Sequence, residues 1–133
     1  MDKKTITTPD APAPIGPYNQ AIASGNMLFI SGQICIEPST GELKNGDIRA
    51  ETMQVMKNLR AILQHAGMDF KNVVKTSIFL TDMNRFSEVN EVYGGQLEKD
   101  LNGDKAGYPA RETVQVSALP KFVNVEISMI AVK

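Results

Sequence analysis

Arg111 and Glu126 are two charged residues near the C-terminal end whose side chains could together act on a small carboxylate. Arg111 lies in a segment of alternating side chains, residues 109–116, and Glu126 lies in a second such segment, residues 122–132. If the two segments form a hairpin, Arg111 is diagonal to Glu126 on one face of the sheet. The pair is then either a cross-strand ion pair on a solvated face, which the pattern alone favours, or an anion-binding arginine beside a general base.

Several further positions could contact a ligand. Strand alternation puts Thr113 on the same face as Arg111. Gly32 follows an apolar strand and indicates either a β-bulge or backbone that approaches a ligand closely, with the Ser31 hydroxyl beside it. Asn90 lies in the middle of a predicted helix, where it is either an exposed polar residue or an amide that faces a ligand.

The composition argues against several classes of protein. With 14 basic and 15 acidic residues the formal net charge is −1, and no basic face is evident that would bind nucleic acid. No apolar run is long enough to span a membrane and the first residues lack an apolar signal core, so we expect a cytoplasmic protein. One cysteine and one histidine cannot build a disulfide framework or a usual zinc site, and Cys35 is expected to be a small apolar residue.

The periodicity of the apolar residues predicts one domain over residues 1–133. Segments of period two alternate with two segments of helical period. The predicted order is strand 18–23, strand 27–34, helix 48–66, strand 72–81, a helix that starts at 82–84, strand 109–116 and strand 122–132. This β-β-α-β-α-β-β order predicts an α+β fold in which a mixed sheet carries both helices on one face.

Local signals set the ends of the helices. Asp47 is predicted to cap the first helix, and Gly67 is predicted to end it. Gly94 and Gly95 are expected to weaken or kink the second helix because glycine lowers helix stability.

Two features bear on what covers the sheet. The continuous apolar run at residues 27–30 is typical of a strand that is buried on both faces. The face opposite the helices is expected to carry Arg111 and Glu126 and has no cover from its own chain. A partly apolar face of this kind predicts self-association.

The sequence resembles a known family in several motifs that occur in the family's order. These motifs lie at residues 15–21, 30–33, 74–76, 82–93, 109–111 and 125–127. The strongest single motif is Pro-Ala-Arg at 109–111, followed by a last strand that contains a glutamate. The chain is similar to the reactive intermediate deaminase family, RidA (also called YjgF), over nearly its whole length. It resembles the RidA subgroup because the arginine is present.

The resemblance implies both an assembly and an activity. Members of this family form homotrimers of a chorismate-mutase-like fold with three sites in the clefts between subunits. They hydrolyse 2-aminoacrylate and related enamine and imine intermediates, released by pyridoxal-phosphate enzymes, to 2-keto acids and ammonia. No metal or organic cofactor is implied, and neither nucleic acid nor a membrane is an expected partner.

The resemblance also assigns roles to individual residues. Arg111 would bind the substrate carboxylate and Glu126 would activate water, with the arginine holding the glutamate ionised. The remaining pocket residues would be Tyr18, Ser31, Gly32 and Asn90.

The chain departs from the family pattern in two places. Glu112 and Thr113 follow the arginine where many members have serine and then cysteine, which predicts an altered substrate preference or redox sensitivity. The loop at residues 98–108 also exceeds the usual length. Two other functions stay open from the sequence: a trimer that binds 2-keto acids or amino acids without turnover, and an RNA-acting protein, against which the lack of a basic patch counts.

Overall fold

A computed structural model describes residues 2–133 of the chain. The six strands are β1 (Lys3–Ile6), β2 (Ala21–Ser24), β3 (Met27–Gln33), β4 (Val73–Leu80), β5 (Ala110–Gln115) and β6 (Val125–Val132). The two α-helices are α1 (Ile48–His65) and α2 (Phe86–Leu101). The predicted order of elements and the α+β class are therefore confirmed. The additional strand β1 precedes the first predicted one.

The strands form one mixed sheet in the order β1-β2-β3-β6-β4-β5. The predicted hairpin between the last two strands is wrong, because β4 lies between β5 and β6. β5 runs parallel to β4, as the crossover through α2 requires, whereas β6 is antiparallel to both β3 and β4. Arg111 is consequently paired with Thr76, and Glu126 is paired with Phe79.

Both helices pack on the same face of the sheet. Along β6 buried and half-buried residues alternate strictly, as expected of a strand with one covered face. Thr76 is fully buried on the helix side, and its hydroxyl accepts a hydrogen bond of 2.9 Å from Tyr93 of α2. Arg111 is the partner of Thr76 on the neighbouring strand, so its side chain also points toward the helices.

The opposite face, which we call the open face, carries neither of the two helices. Phe29 of β3 is 42% exposed there, so the prediction that residues 27–30 are buried on both faces is wrong for the single chain. Leu28 and Ile30, which point to the other side, are buried. Glu126 lies on the open face and Arg111 does not, which corrects the prediction that they share it.

The predicted ends of α1 are confirmed. The Asp47 side chain accepts a hydrogen bond of 2.8 Å from the backbone N–H of Ala50, and Gly67 follows the helix with a φ of +75°. The second helix runs without a break through Gly94 and Gly95, so the two glycines do not end it. None of the helices formed by residues 2–133 has the length and apolarity needed to cross a membrane.

A buried carboxylate fixes the beginning of β6. Glu51 of α1 is 0% exposed and accepts three hydrogen bonds of 2.7–2.8 Å. The donors are the backbone and side-chain N–H groups of Asn124 and the backbone N–H of Val125. Because Glu126 is the next residue, this contact sets the position from which the Glu126 side chain leaves the sheet.

Replacement of Glu51 by alanine is expected to lower the free energy of unfolding by about 3 kcal/mol, because buried N–H groups lose their acceptor and a cavity remains. Urea denaturation measures the change. Glu91→Ala is the matched control, since its carboxylate is an exposed partner of Arg49 and its loss should cost less than about 1 kcal/mol. Equal effects of the two substitutions would contradict the role given to Glu51.

Candidate functional site

Arg111 lies in a pocket between β5 and α2. Its guanidinium donates a hydrogen bond of 2.7 Å to the side-chain oxygen of Asn90. The Phe86 and Tyr93 rings lie 5.5 Å and 5.3 Å from the guanidinium carbon, within the range of cation–π attraction. Asn90 is half-buried and orients the arginine. Of the two alternatives for this residue, an amide that faces a ligand fits better than an exposed polar residue.

We call this cavity of about 320 Å³ the arginine pocket. It is lined by Asn90, Tyr93, Gly94, Tyr108, Pro109 and Arg111. No salt bridge among residues 2–133 includes Arg111. A guanidinium has five N–H donors, and the hydrogen bond to Asn90 uses one of them. The pocket therefore presents an uncompensated positive charge with donors to spare, as a site for a carboxylate would.

Thr113 follows Arg111 on the same side of β5. Its Oγ1 is the one buried side-chain polar atom among residues 2–133 for which no hydrogen-bond partner is present. Glu112 points to the other side and pairs with Lys75 at 2.8 Å and with the Ser77 hydroxyl on the open face. Of the two residues that depart from the family pattern, Thr113 alone is therefore on the side of the arginine pocket.

Glu126 lies in a separate, narrow cleft of about 40 Å³, which we call the glutamate pocket. Its lining consists of Pro12, Ala13, Ile15, Tyr18, Gln20, Gly32, Gln33, Ile34, Ile36, Pro120 and Glu126. Gly32 lies where the register between β3 and β6 shifts, which agrees with the first of the two alternatives, a β-bulge, and does not test the second, an approach to a ligand. A Cβ atom at Gly32 would overlap Glu126 Oε2 and lie 2.8 Å from the carboxyl carbon. Glycine is therefore required for the observed position of the carboxylate.

Burial raises the pKa of Glu126 above its ordinary value of 4.5. No cation or hydrogen-bond donor among residues 2–133 acts against that shift. Arg111 of the same chain does not act on this pKa, because the two side chains lie on opposite sides of the sheet.

The other two predicted pocket residues, Tyr18 and Ser31, lie in different places. Tyr18 lies in the glutamate pocket, where its hydroxyl oxygen accepts a hydrogen bond of 3.2 Å from the backbone N–H of Ile15. Ser31 adjoins Gly32, but its hydroxyl donates to the backbone carbonyl of Asn19 at 2.6 Å. Ser31 lines a cavity on the open face and not the cleft around Glu126.

Sequence reasoning missed several residues of both pockets. Tyr93 and Gly94 follow Asn90 by three and four positions, a spacing that puts them on one face of α2, and this signal could have found them. Tyr108 precedes the Pro-Ala-Arg motif directly, and its hydroxyl donates to Glu98. Pro120 had no signal, because its place in the glutamate pocket depends on how the β5–β6 connection folds.

The remaining nucleophiles and metal ligands do not form a second centre within residues 2–133. Cys35 is buried, and its burial, together with the Glu51 carboxylate, raises the pKa of its thiol to about 11. A thiol with this pKa is protonated at neutral pH and is a poor nucleophile. No group of three or more histidine, cysteine, aspartate or glutamate side chains in the described chain could hold a metal ion.

The fold and the two pockets define a class of small α+β proteins in which one mixed sheet carries two helices. Residues 8–133 match the family model described as Endoribonuclease L-PSP. A RutC family protein of Pyrococcus horikoshii is 50% identical over 131 residues, which are 98% of each chain. A 2-iminobutanoate/2-iminopropanoate deaminase of Mus musculus is 47% identical over 131 residues, 98% of this chain and 92% of the relative.

A solved structure is similar to this chain in both fold and sequence. The crystal structure of E. coli TdcF with bound serine is 41% identical and has a TM-score of 0.87, with 98% of each chain covered. The protein therefore belongs to the RidA (YjgF) family, which is the family of the Endoribonuclease L-PSP model.

Replacement of Gly32 by alanine is expected to displace the Glu126 carboxylate, because the new Cβ would occupy its place. The obstructing atoms are the end of a flexible side chain, so the free energy of unfolding should change by less than about 1 kcal/mol. A crystal structure and urea denaturation measure the two effects.

Gly95→Ala is the control, since a Cβ there meets no atom within 4 Å and should stabilise α2 by about 0.5 kcal/mol. A Gly32→Ala protein in which Glu126 has not moved would show that the glycine does not set the position of the carboxylate.

Proposed function

We propose that this protein is a 2-iminobutanoate/2-iminopropanoate deaminase, which hydrolyses reactive enamine and imine intermediates such as 2-aminoacrylate to 2-keto acids and ammonia. The observation that carries the proposal is the guanidinium of Arg111, oriented by Asn90 and free of any carboxylate partner among residues 2–133. The name of the mouse relative supports the proposal. No cofactor is needed for this reaction.

Arg111 would hold the substrate by its carboxylate. A guanidinium is planar and permanently charged, so it can donate two parallel hydrogen bonds to the two carboxylate oxygens. The bond to Asn90 and the rings of Phe86 and Tyr93 restrict the guanidinium before the substrate arrives. This preorganisation lowers the entropic cost of binding. Thr113 lies on the same side of the strand, but its hydroxyl is buried and the residue does not line the arginine pocket, so we assign it no contact with the substrate.

Glu126 would act on the water that attacks the imine. The substrate reacts as the iminium, whose nitrogen already carries its proton. The carboxylate takes a proton from the water as the oxygen adds to the iminium carbon, and the electron pair of the C=N bond moves to the nitrogen. The resulting carbinolamine loses ammonia, and Glu126 can return its proton to the departing nitrogen. An imine is already activated toward addition of water, so one positioned carboxylate and one carboxylate-binding group are sufficient.

Within one chain the two groups are on opposite sides of the sheet, so the complete site requires two copies of the chain. In a homotrimer with threefold symmetry each subunit uses two unlike surfaces, one toward each neighbour. The arginine pocket of one subunit can then meet the glutamate pocket of the next. There the guanidinium would offset the burial that raises the pKa of Glu126.

The open face would lie inside this assembly. Phe29 and Val114 are 42% and 40% exposed on that face, and Ile130 is half-buried there. Burial of apolar surface against a second copy contributes about 25 cal/mol per Å², which favours association. The subunits of the trimer would thus be held together by the face that the helices leave uncovered.

A second candidate function is the binding of a 2-keto acid or an amino acid without turnover. The bound serine named for the E. coli TdcF structure favours it, since serine carries the carboxylate that Arg111 would bind. In such a protein Glu126 would shape the site and would carry out no proton transfer.

A coupled assay distinguishes the two functions. A serine dehydratase generates 2-aminoacrylate, and the protein is expected to accelerate the release of 2-keto acid and ammonia above the spontaneous rate. Glu126→Gln should lower kcat by 100-fold or more, about the contribution of a general base, while calorimetry shows that a non-reactive carboxylate such as serine still binds. Wild-type protein that binds serine but leaves the rate unchanged would support the binding function and contradict catalysis.

A further inference from the structure

Phe122 combines two features that the stability of the fold does not explain. It is 87% exposed, more than any other large hydrophobic residue of the described chain. Its φ is +56°, as is that of Lys121 before it, in the turn Pro120–Phe122 between β5 and β6. The left-handed region is a genuine outlier for a bulky side chain, and it is readily adopted by glycine and asparagine.

The exposed ring adds nothing to the stability of the single chain, and the backbone conformation lowers that stability. An exposed aromatic ring contributes no burial, and a non-glycine residue in this region destabilises the backbone. Strained residues of this kind concentrate at ligand contacts and other functional sites. A role in binding therefore accounts for a phenylalanine at a position where glycine or asparagine would stabilise the folded chain.

The position of Phe122 relates it to the glutamate pocket. Pro120 lines that pocket, and two virtual bonds of 3.80 Å put the Cα of Phe122 no more than about 7.6 Å from the Cα of Pro120. The backbone N–H of Phe122 donates to Leu119 at 2.9 Å and keeps the turn closed. Ile15 and Tyr18, which also line the pocket, are 53% and 43% exposed. Ile15 and Tyr18 are thus exposed apolar side chains of the pocket, and Phe122 follows its lining residue Pro120 by two positions. We call these three side chains the rim.

One substituent of the proposed substrate remains to contact the rim. A 2-imino acid has a carboxylate, which Arg111 would bind, and an imine carbon, which would face Glu126. The third substituent is the side chain, and the wall around Glu126 is largely apolar, with Pro12, Ile34 and Ile36 among its residues. An apolar side chain of the substrate is therefore the group that best fits between this wall and the rim.

We infer that Phe122 is a specificity-determining residue that covers the substrate side chain above the glutamate pocket and favours 2-imino acids with long apolar side chains. This inference rests on the proposed imine hydrolase function. It adds to that function the residue that sets the substrate preference, and the unusual backbone geometry at Phe122 points to that residue.

The test compares two substrates in four proteins. Imines are generated in the assay from alanine and from leucine by an amino-acid oxidase, and kcat/KM is measured for wild type, Phe122→Asn, Phe122→Gly and Phe122→Leu. The ratio of the leucine-derived to the alanine-derived value should fall about tenfold in the asparagine and glycine variants, since apolar contacts of this size give about that discrimination. Phe122→Leu keeps an apolar side chain and should retain most of the ratio.

The melting temperature separates this role from a structural one. Phe122→Asn and Phe122→Gly should melt at or above the wild-type temperature, because both residues adopt a positive φ with less strain. An unchanged ratio in both variants would overturn the inference, and an accompanying shift in sedimentation would assign the ring to contact between copies. Wild-type protein that hydrolyses neither imine would refute the proposed function itself, whereas normal turnover with an unchanged ratio would refute the role of Phe122 alone.

Discussion

The insertion of β4 between β5 and β6 is the constraint on which the rest of the structure depends. Because α2 carries the chain from β4 to β5 as a parallel neighbour, β6 can pair only with the other edge of β4. Arg111 then points toward the helices, while Glu126 lies on the open face. Among residues 2–133 neither charge has an opposite charge beside it.

Association with a second copy of the chain would stabilise both the two unpaired charges and the open face. A half-buried carboxylate with a raised pKa and a guanidinium without an anion would both be stabilised if a second copy brought them together. Each half is prepared in advance within its own chain. Asn90 orients the guanidinium, whereas Glu51 fixes the start of β6, and the bulge at Gly32 leaves room for the Glu126 carboxylate. In the proposed trimer, assembly and completion of the site are therefore one event.

Features that depend on neighbouring residues in the sequence could be predicted from it. The cap at Asp47, the end of α1 at Gly67 and the turn between β2 and β3 each follow from the local chemistry of a few residues. The charged strand β1 was not predicted, because its alternation is weak and it lies at an edge.

Which strands are neighbours could not be predicted, because periodicity tells which face a residue is on and not which strand lies beside it. The hairpin expected for β5 and β6 failed for this reason, although the alternation within each strand was correct. The roles proposed for Arg111 and Glu126 come from their residue types and from the family pattern, while their separation required the structure. The prediction that Phe29 is buried on both faces failed because neither helix lies on its side of the sheet, where it is 42% exposed.

The most direct measurement of the shared site is complementation between inactive subunits. Arg111→Ala and Glu126→Gln proteins are mixed in equal amounts, dissociated and reassociated, and the imine hydrolase activity is measured. Random assembly of threefold rings should give about one quarter of the sites an intact Arg111 and an intact Glu126 from different chains. Arg111→Ala mixed with Asn90→Ala is the control, because both changes affect the arginine pocket and no intact site can form. Recovery in the first mixture alone is the predicted result, and a first mixture as inactive as the control would contradict a site shared between copies.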